Sequence, residues 1–131
     1  MPEPVNTPDI CPFCEPDSAR IVHSEPECLA LRDGFPVSPG HTLVVPRRHV
    51  ASIFELNEEE WGAVWSMVGV VRRELAEEEV PDGFNIGVND GTAAGQTIAH
   101  AHVHVIPRRT GDVEDPRGGV RWVIPAKVRY W

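Results

Sequence analysis

Three histidines at alternate positions, His100, His102 and His104, constrain the fold of this chain more than any other feature. Alternate residues of a β-strand point to the same face of a sheet. The spacing therefore predicts a strand over residues 99–107, with the three imidazoles on one face and the small apolar residues between them facing the core. Because histidine is not a residue that strands favour, the pattern indicates chemistry on that face.

The rest of the chain predicts a sheet and one long helix. Four further strands are predicted between turns rich in glycine and proline, over 20–23, 28–33, 41–46 and 84–89. Asn57 and Glu60 have the spacing of a capping box, which predicts the start of a helix that ends near Val80. Its buried stripe is expected to include both helical tryptophans, Trp61 and Trp65.

These elements predict an α+β fold: an antiparallel β-sheet of about five strands, with the long helix on one face and the histidines on the other. The chain has 131 residues, enough for one domain with its own core. We expect a single domain over residues 1–131, with an irregular N-terminal arm at 1–10 and a tail at 110–131.

Composition excludes several classes of protein. No apolar run is long enough to span a membrane, and the N-terminus lacks the features of a signal peptide, so we expect a cytoplasmic protein without a membrane partner. The net charge of −8 argues against a nucleic-acid partner. Arginines near the histidine segments still allow a small anion to bind locally.

Cys11 and Cys14 have the two-residue gap of a zinc-binding pair. A structural zinc ion needs four ligands, and Cys28 lies alone within a predicted strand, so histidines would have to supply the other two. A redox-active pair and two free thiols are the alternatives. The candidate histidine ligands are His23, His41, His49 and one member of the triad.

The triad itself allows two kinds of chemistry. Two histidines at i and i+2 could hold a catalytic zinc ion, but the outer pair lies roughly 13 Å apart along a strand, so at most two of the three share a metal. A neutral imidazole is also a nucleophile toward phosphorus, provided that its other nitrogen donates to a fixed acceptor such as a carbonyl. A neighbouring imidazole could then protonate the leaving group.

The segment before the triad is suited to holding an anion, because it supplies glycine turns, amide side chains and a hydroxyl. Together, Gly95-Gln96-Thr97 and His100 to Ile106 resemble the signature of the histidine triad superfamily of nucleotide hydrolases and transferases. Two other blocks, residues 37–49 and 84–91, resemble it as well. The likeness covers about residues 11–109.

The resemblance implies a homodimer that binds a purine nucleotide and forms a covalent nucleotidyl intermediate on His102. It implies that His104 contacts the scissile phosphate and assists the leaving group, with His41 supporting it from behind. Asp33 matches the residue that holds the ribose hydroxyls. The positions of the phosphate loop are matched by Asn89, Gln96 and Thr97.

Zinc-bearing members of this superfamily imply a structural zinc site made of Cys11, Cys14, His49 and His100. The leading hypothesis is therefore an enzyme that cleaves a purine nucleoside 5′-phosphoramidate or a dinucleoside polyphosphate. One alternative is a zinc-water hydrolase in which triad histidines hold a catalytic ion. Another is a nucleotide-binding adaptor without catalysis.

Overall fold

A computed structural model describes residues 11–131, so the predicted arm at 1–10 lies outside the described residues. One helix, α1 (Glu58–Glu78), accompanies five strands in the sheet order β1-β2-β3-β5-β4, with every neighbouring pair antiparallel. The predicted α+β fold is confirmed. The strands are β1 (Ile21–Ser24), β2 (Cys28–Arg32), β3 (Thr42–Pro46), β4 (Gly83–Gly87) and β5 (Val103–Arg108).

The predicted capping box starts helix α1. The Asn57 side chain accepts a hydrogen bond from the backbone N–H of Glu60 at 2.8 Å, and the Glu60 carboxylate accepts from the backbone N–H of Asn57 at 3.0 Å. Two donors that the helix leaves unpaired are thereby satisfied. The helix ends at Glu78, and Val80 follows with a φ of 45°, close to the predicted end.

Helix α1 packs on β2, β3 and β5 through the predicted apolar stripe. Val64, Val68 and Leu75 are buried against Val103 and Val105 of β5. The edge strand β4 also contacts the helix layer, because Phe84 packs against this core and lies 4.8 Å from the guanidinium of Arg72 on α1.

The expectation that both helical tryptophans belong to the core is wrong for Trp61. Its side chain is exposed at the first turn of the helix, where its ring lies 5.6 Å from that of Phe54. Trp65 is half-buried and packs on the edge of the core. Helical spacing places both on one side of the helix, but the first fully buried apolar residue of the helix is Val64.

The predicted strand over residues 99–107 begins only at Val103, so His100 and His102 precede it. Ahead of the strand, the backbone N–H of Ala101 donates to the carbonyl of Val50 at 2.7 Å instead of joining the sheet ladder. The three histidines are therefore not a row on an open strand face. His100 is completely buried and His102 is nearly so.

A second apolar layer covers the face of the sheet opposite α1. Leu29, Leu31 and Leu43 pack there against Cys11 and Phe13 of the N-terminal turn. The sequence predicted that this face carries histidines, but it did not predict that the cysteine turn lies over it. The tail beyond β5 contains two short 3₁₀ helices, Gly119–Val123 and Pro125–Lys127. Among residues 11–131, no helix is both long enough and apolar enough to cross a membrane.

Candidate functional site

The four predicted metal ligands meet in one cluster. Potential ligand atoms of Cys11, Cys14, His49 and His100 all lie within 4.8 Å of one another. Nδ1 of His100 lies 3.4 Å from Sγ of Cys11 and 3.2 Å from Nδ1 of His49. Tetrahedral zinc with bonds of about 2.0–2.3 Å requires ligand separations of roughly 3.3–3.8 Å, so these residues fit a zinc ion.

The tautomer of His100 also suits a metal. Its Nε2–H donates to the backbone carbonyl of Pro46 at 2.7 Å, which leaves the Nδ1 lone pair facing the cysteines. Burial, followed by a hydrogen bond that the Cys14 thiol donates to Cys11, raises the pKa of Cys14 to about 11. A cation that binds here must therefore displace thiol protons, as zinc does in sites with two thiolates and two imidazoles.

His102 is oriented as a nucleophile would need to be. Its Nδ1–H donates to the backbone carbonyl of His100 at 2.8 Å, so Nε2 keeps a free lone pair. Burial lowers the pKa of His102, which favours the neutral ring despite the opposing effect of that hydrogen bond. The ring of Phe13 packs edge-on against it, with centroids 4.9 Å apart.

His104 and His41 form a directed hydrogen-bonded chain. The backbone N–H of Val37 donates to Nδ1 of His41 at 3.1 Å, so the proton of the neutral His41 ring is on Nε2. That Nε2 lies 3.0 Å from Nδ1 of His104 and donates to it. His104 must in turn carry its own proton on Nε2, the nitrogen that remains free for a ligand.

Burial dominates the electrostatics of this chain. It lowers the pKa of His104 to about 4, with further contributions from the neighbouring His102 and His41. Burial also lowers the pKa of His41, although the Asp33 carboxylate acts in the opposite direction. Both rings are therefore neutral at pH 7.

Asp33 lies beside these imidazoles. One carboxylate oxygen accepts from the backbone N–H of Phe35 at 2.7 Å, and the other lies 3.4 Å from Nε2 of His41. Its predicted contact with ribose hydroxyls stays a prediction. Potential ligand atoms of Asp33, His41 and His104 also lie within 4.8 Å of one another, a spacing that a metal site would have. However, the Val37 N–H holds His41 in the tautomer whose Nε2 carries a proton, and a protonated nitrogen does not ligate a metal.

The predicted phosphate loop is built around Gln96. Its side-chain oxygen accepts from the backbone N–H of Gly91 at 2.8 Å, and its amide donates to the carbonyls of Ala51 and Ile98. Gln96 thus braces a loop in which Gly91 and Gly95 both have positive φ. Asn89 lies on the same loop, half-buried, and Thr97 is exposed. Phosphate contacts by Asn89, Gln96 and Thr97 stay predictions.

Sequence reasoning missed three groups that position the histidines. Phe13 contacts the ring of His102, the N–H of Val37 sets the tautomer of His41, and the carbonyl of Pro46 sets that of His100. Only Phe13 had a sequence signal, since it lies between the two cysteines. Backbone groups leave no trace in residue identity.

The model of the HIT domain family matches residues 16–111 of this chain, which include β1 to β5 and all three triad histidines. The chain belongs to the HIT domain family. This confirms the resemblance on which the site residues were assigned. It does not by itself assign a role to any residue of the HIT domain described here.

Two relatives of this HIT domain are named as hydrolases. The adenylylsulfatase of Arabidopsis thaliana is 33% identical over 106 residues, which cover 78% of this chain and 54% of the relative. The bis(5′-adenosyl)-triphosphatase of Dictyostelium discoideum is 39% identical over 87 residues, 66% of this chain and 58% of the relative. The HIT domain thus spans little more than half the length of either relative.

A solved structure matches the fold closely. The zinc-bound histidine triad family protein from Mycobacterium smegmatis is 33% identical, with a TM-score of 0.72, and the match covers 81% of this chain and 80% of that one. Zinc in that structure is consistent with the Cys11, Cys14, His49 and His100 cluster of this HIT domain.

Proposed function

We propose that this HIT-family chain is an enzyme that cleaves a purine nucleoside 5′-phosphoryl bond by way of a nucleotidyl group on His102. The observation that carries the proposal is the pairing of two neutral imidazoles with opposite tasks. His102 has a free lone pair on Nε2, and His104 has a proton on Nε2, with ring centroids 5.1 Å apart. A nucleophile thus lies beside an acid.

The reaction proceeds in two displacements. Nε2 of His102 attacks the α-phosphorus, the bond from phosphorus to the leaving group breaks, and His104 gives its Nε2 proton to the departing atom. This leaves His104 as an imidazolate and His102, which keeps its Nδ1–H, as a cationic nucleotidyl ring. The anion on His104 is stabilised by the hydrogen bond from Nε2–H of His41 and by the cationic ring of His102, whose centroid lies 5.1 Å away. Water then attacks the phosphorus, gives a proton back to His104, and releases the nucleotide and a neutral His102.

The proposed substrates are a purine nucleoside phosphoramidate or a dinucleoside polyphosphate. Two named relatives act on adenine nucleotides according to their names, an adenylylsulfatase and a bis(5′-adenosyl)-triphosphatase. The proposed partner is thus a small nucleotide, not a nucleic acid or a membrane. Asp33 would hold the ribose, and the phosphate loop would be supplied by Asn89, Gln96 and Thr97.

A structural zinc ion held by Cys11, Cys14, His49 and His100 completes the proposal. When bound, zinc supplies a cross-link between the N-terminal turn, the segment after β3 and the triad. Zinc coordination by thiolates agrees with the reducing conditions of the cytoplasm, the compartment we propose. We also propose a homodimer, because β4 is an edge strand of the sheet and exposes Ile86.

The zinc-water alternative is less well supported. It needs lone pairs of at least two triad histidines directed at one catalytic ion. Nε2 of His102 has a free lone pair, but Nδ1 of His104 accepts from His41 and Nε2 of His104 carries the proton, so His104 offers none. The adaptor alternative shares the binding site and lacks the turnover. Both predict that no covalent nucleotide forms on the protein.

The test is a rapid quench of the zinc-loaded protein with adenosine phosphoramidate or diadenosine tetraphosphate labelled at the α-phosphorus. We expect acid-labile, base-stable label on His102, located by peptide mapping. His102→Asn should lose at least about 10³-fold in kcat and keep its affinity for AMP. Turnover by His102→Asn near the wild-type rate would rule out the mechanism.

A further inference from the structure

The last sixteen residues have a charge opposite to that of the chain as a whole. Residues 116–131, called here the C-terminal lobe, contain four cationic side chains and no acidic one, although the net charge of the chain is −8. Only Arg117 pairs with a carboxylate within residues 11–131, that of Asp115 at 3.0 Å. Lys127 and Arg129 have no such partner there and are exposed.

The C-terminal lobe is folded and is not a solvated tail. Arg121 donates to the carbonyls of Val128 and Lys127, at 2.9 and 2.7 Å. The Val128 side chain is buried, and Gly118 lies so close that an added Cβ would be 2.7 Å from a Val128 methyl group. Because Gly118 also has a φ of 95°, glycine is needed for this close approach.

The lobe presents aromatic rings next to its cations. The guanidinium of Arg117 lies 4.5 Å from the centre of the Trp131 ring, and that of Arg121 lies 4.8 Å from the centre of the Tyr130 ring. Trp122, Tyr130 and Trp131 remain 45%, 72% and 40% exposed. Flat rings that are held by cations and left open to solvent suit the stacking of a nucleobase, and the nearby cations suit phosphates.

The lobe lies on the catalytic face of the sheet. Asn85 of β4 pairs with Ile106, and Gly87 pairs with His104, so the Asn85 side chain is on the face that carries His104. An added Cβ on Gly119 would be 3.5 Å from Nδ2 of Asn85. The lobe therefore touches the sheet roughly 7 Å along β4 from the residue paired with His104.

We propose that the C-terminal lobe binds the second nucleotide of a dinucleoside polyphosphate whose first phosphate is attacked by His102. This inference rests on the proposed function and selects between its two substrates. The leaving group of a phosphoramidate is a single amine and does not extend to the lobe. A long nucleic acid is disfavoured, because the remainder of the chain is strongly acidic and repels an extended polyanion.

The experiment compares two substrates in the zinc-loaded full chain. The variants are Lys127→Glu combined with Arg129→Glu, and separately Tyr130→Ala. Arg73→Glu, an exposed arginine on α1, is the matched control. For diadenosine tetraphosphate we expect KM to rise about tenfold or more with kcat nearly unchanged, more steeply at low salt. Kinetics with adenosine phosphoramidate should not change, and the control should match the wild type for both.

Direct binding separates this inference from the proposed function. In His102→Asn, calorimetry should show that diadenosine tetraphosphate binds at least tenfold more tightly than AMP, and that the lobe substitutions abolish this difference. Equal affinities, or a difference that the substitutions leave intact, would overturn the lobe assignment even if phosphoramidate turnover through His102 is normal. A change confined to sedimentation would identify the lobe as a contact between copies and overturn it too.

Discussion

The backbone carbonyl of His100 accepts a hydrogen bond from Nδ1 of His102 at 2.8 Å, so a residue of the candidate zinc cluster is hydrogen-bonded to the candidate nucleophile. The side chain of His100 is itself held by Pro46 and faces both cysteines. The backbone carbonyl of His100 thus connects the candidate zinc cluster to the candidate nucleophile, two parts that the sequence places on one strand. A change in the cluster should reach the nucleophile without contacting the substrate.

Loss of the candidate zinc site should therefore lower the free energy of unfolding directly, and should lower turnover only indirectly, through His102. With free zinc at 100 times its dissociation constant, bound zinc contributes about 2.7 kcal/mol to the free energy of unfolding, so Cys14→Ser should lower that free energy by about 3 kcal/mol. Urea unfolding with and without a chelator, together with zinc analysis, measures this. Cys28→Ser, a buried cysteine outside the cluster, is the control. Equal chelator sensitivity in Cys14→Ser and the wild type would contradict the zinc site.

Phe13 should act as a positioning residue for His102. Its ring lies between the two cysteines in sequence and contacts the rings of both His100 and His102, with centroids 5.8 and 4.9 Å apart. Phe13→Leu keeps an apolar side chain but removes the flat edge contact, so we expect kcat to fall about tenfold with KM little changed.

The tautomer of His102 provides the readout that a purely structural role of Phe13 would not change. In nitrogen-15 spectra of the histidine rings, the signals of His102 should show a single Nδ1–H tautomer in the wild type and a mixture of tautomers in Phe13→Leu. Phe84→Leu, on the helix side of the sheet, is the matched control and should leave the tautomer intact. An unaltered spectrum in Phe13→Leu would show that the carbonyl of His100 alone sets the ring.

The sequence predicted the elements well because their signals are local. The capping box of Asn57 and Glu60 and the apolar spacing along α1 are properties of adjacent residues, and both are observed. The predicted start of the triad strand lies four residues before the observed one at Val103, because alternation alone does not show where a hydrogen-bonded ladder begins. Ala101 bonds to Val50 instead, a contact between segments about fifty residues apart.

The sequence predicted which residues form the candidate site, but not how their rings are oriented. Cys11, Cys14, His49 and His100 were assigned together by resemblance, and the structure brings them together. The tautomers of His41 and His102 depend on the backbone groups of Val37 and His100, which carry no sequence signature. The residue types thus identified the histidines of the site, whereas the backbone geometry determines which nitrogen of each ring is free.

The buried histidines should make stability depend on acid. Burial holds the pKa of His104 near 4, below its ordinary value of 6.5, so between these values the unfolded chain binds more protons than the folded one. Stability is therefore complete above about pH 6.5 and is lost as the pH falls toward 4, by about 1–3 kcal/mol after allowance for partial solvent exposure.

Comparison with His104→Asn isolates this contribution, since zinc loss in acid affects both proteins. Urea midpoints at pH 7.5, 6 and 5 should fall more steeply in the wild type than in the variant. Parallel slopes in the wild type and His104→Asn would mean that His104 titrates alike in the folded and unfolded chain.

The role of His104 as a proton donor can be separated from any role in binding through the choice of leaving group. Its Nε2–H, fixed by the bond from His41 to Nδ1, is the proton that the departing atom would take. His104→Asn should lower kcat by about 10²–10⁴-fold for a phosphoramidate, whose amine must be protonated to leave. The loss should be at least tenfold smaller for the p-nitrophenyl ester of AMP, because nitrophenolate leaves without a proton.

His41→Asn removes the hydrogen bond that fixes the ring of His104, and its loss of kcat should depend on the leaving group in the same way but to a smaller degree. Equal losses for both substrates would assign His104 to phosphate binding and leave the leaving group unassisted.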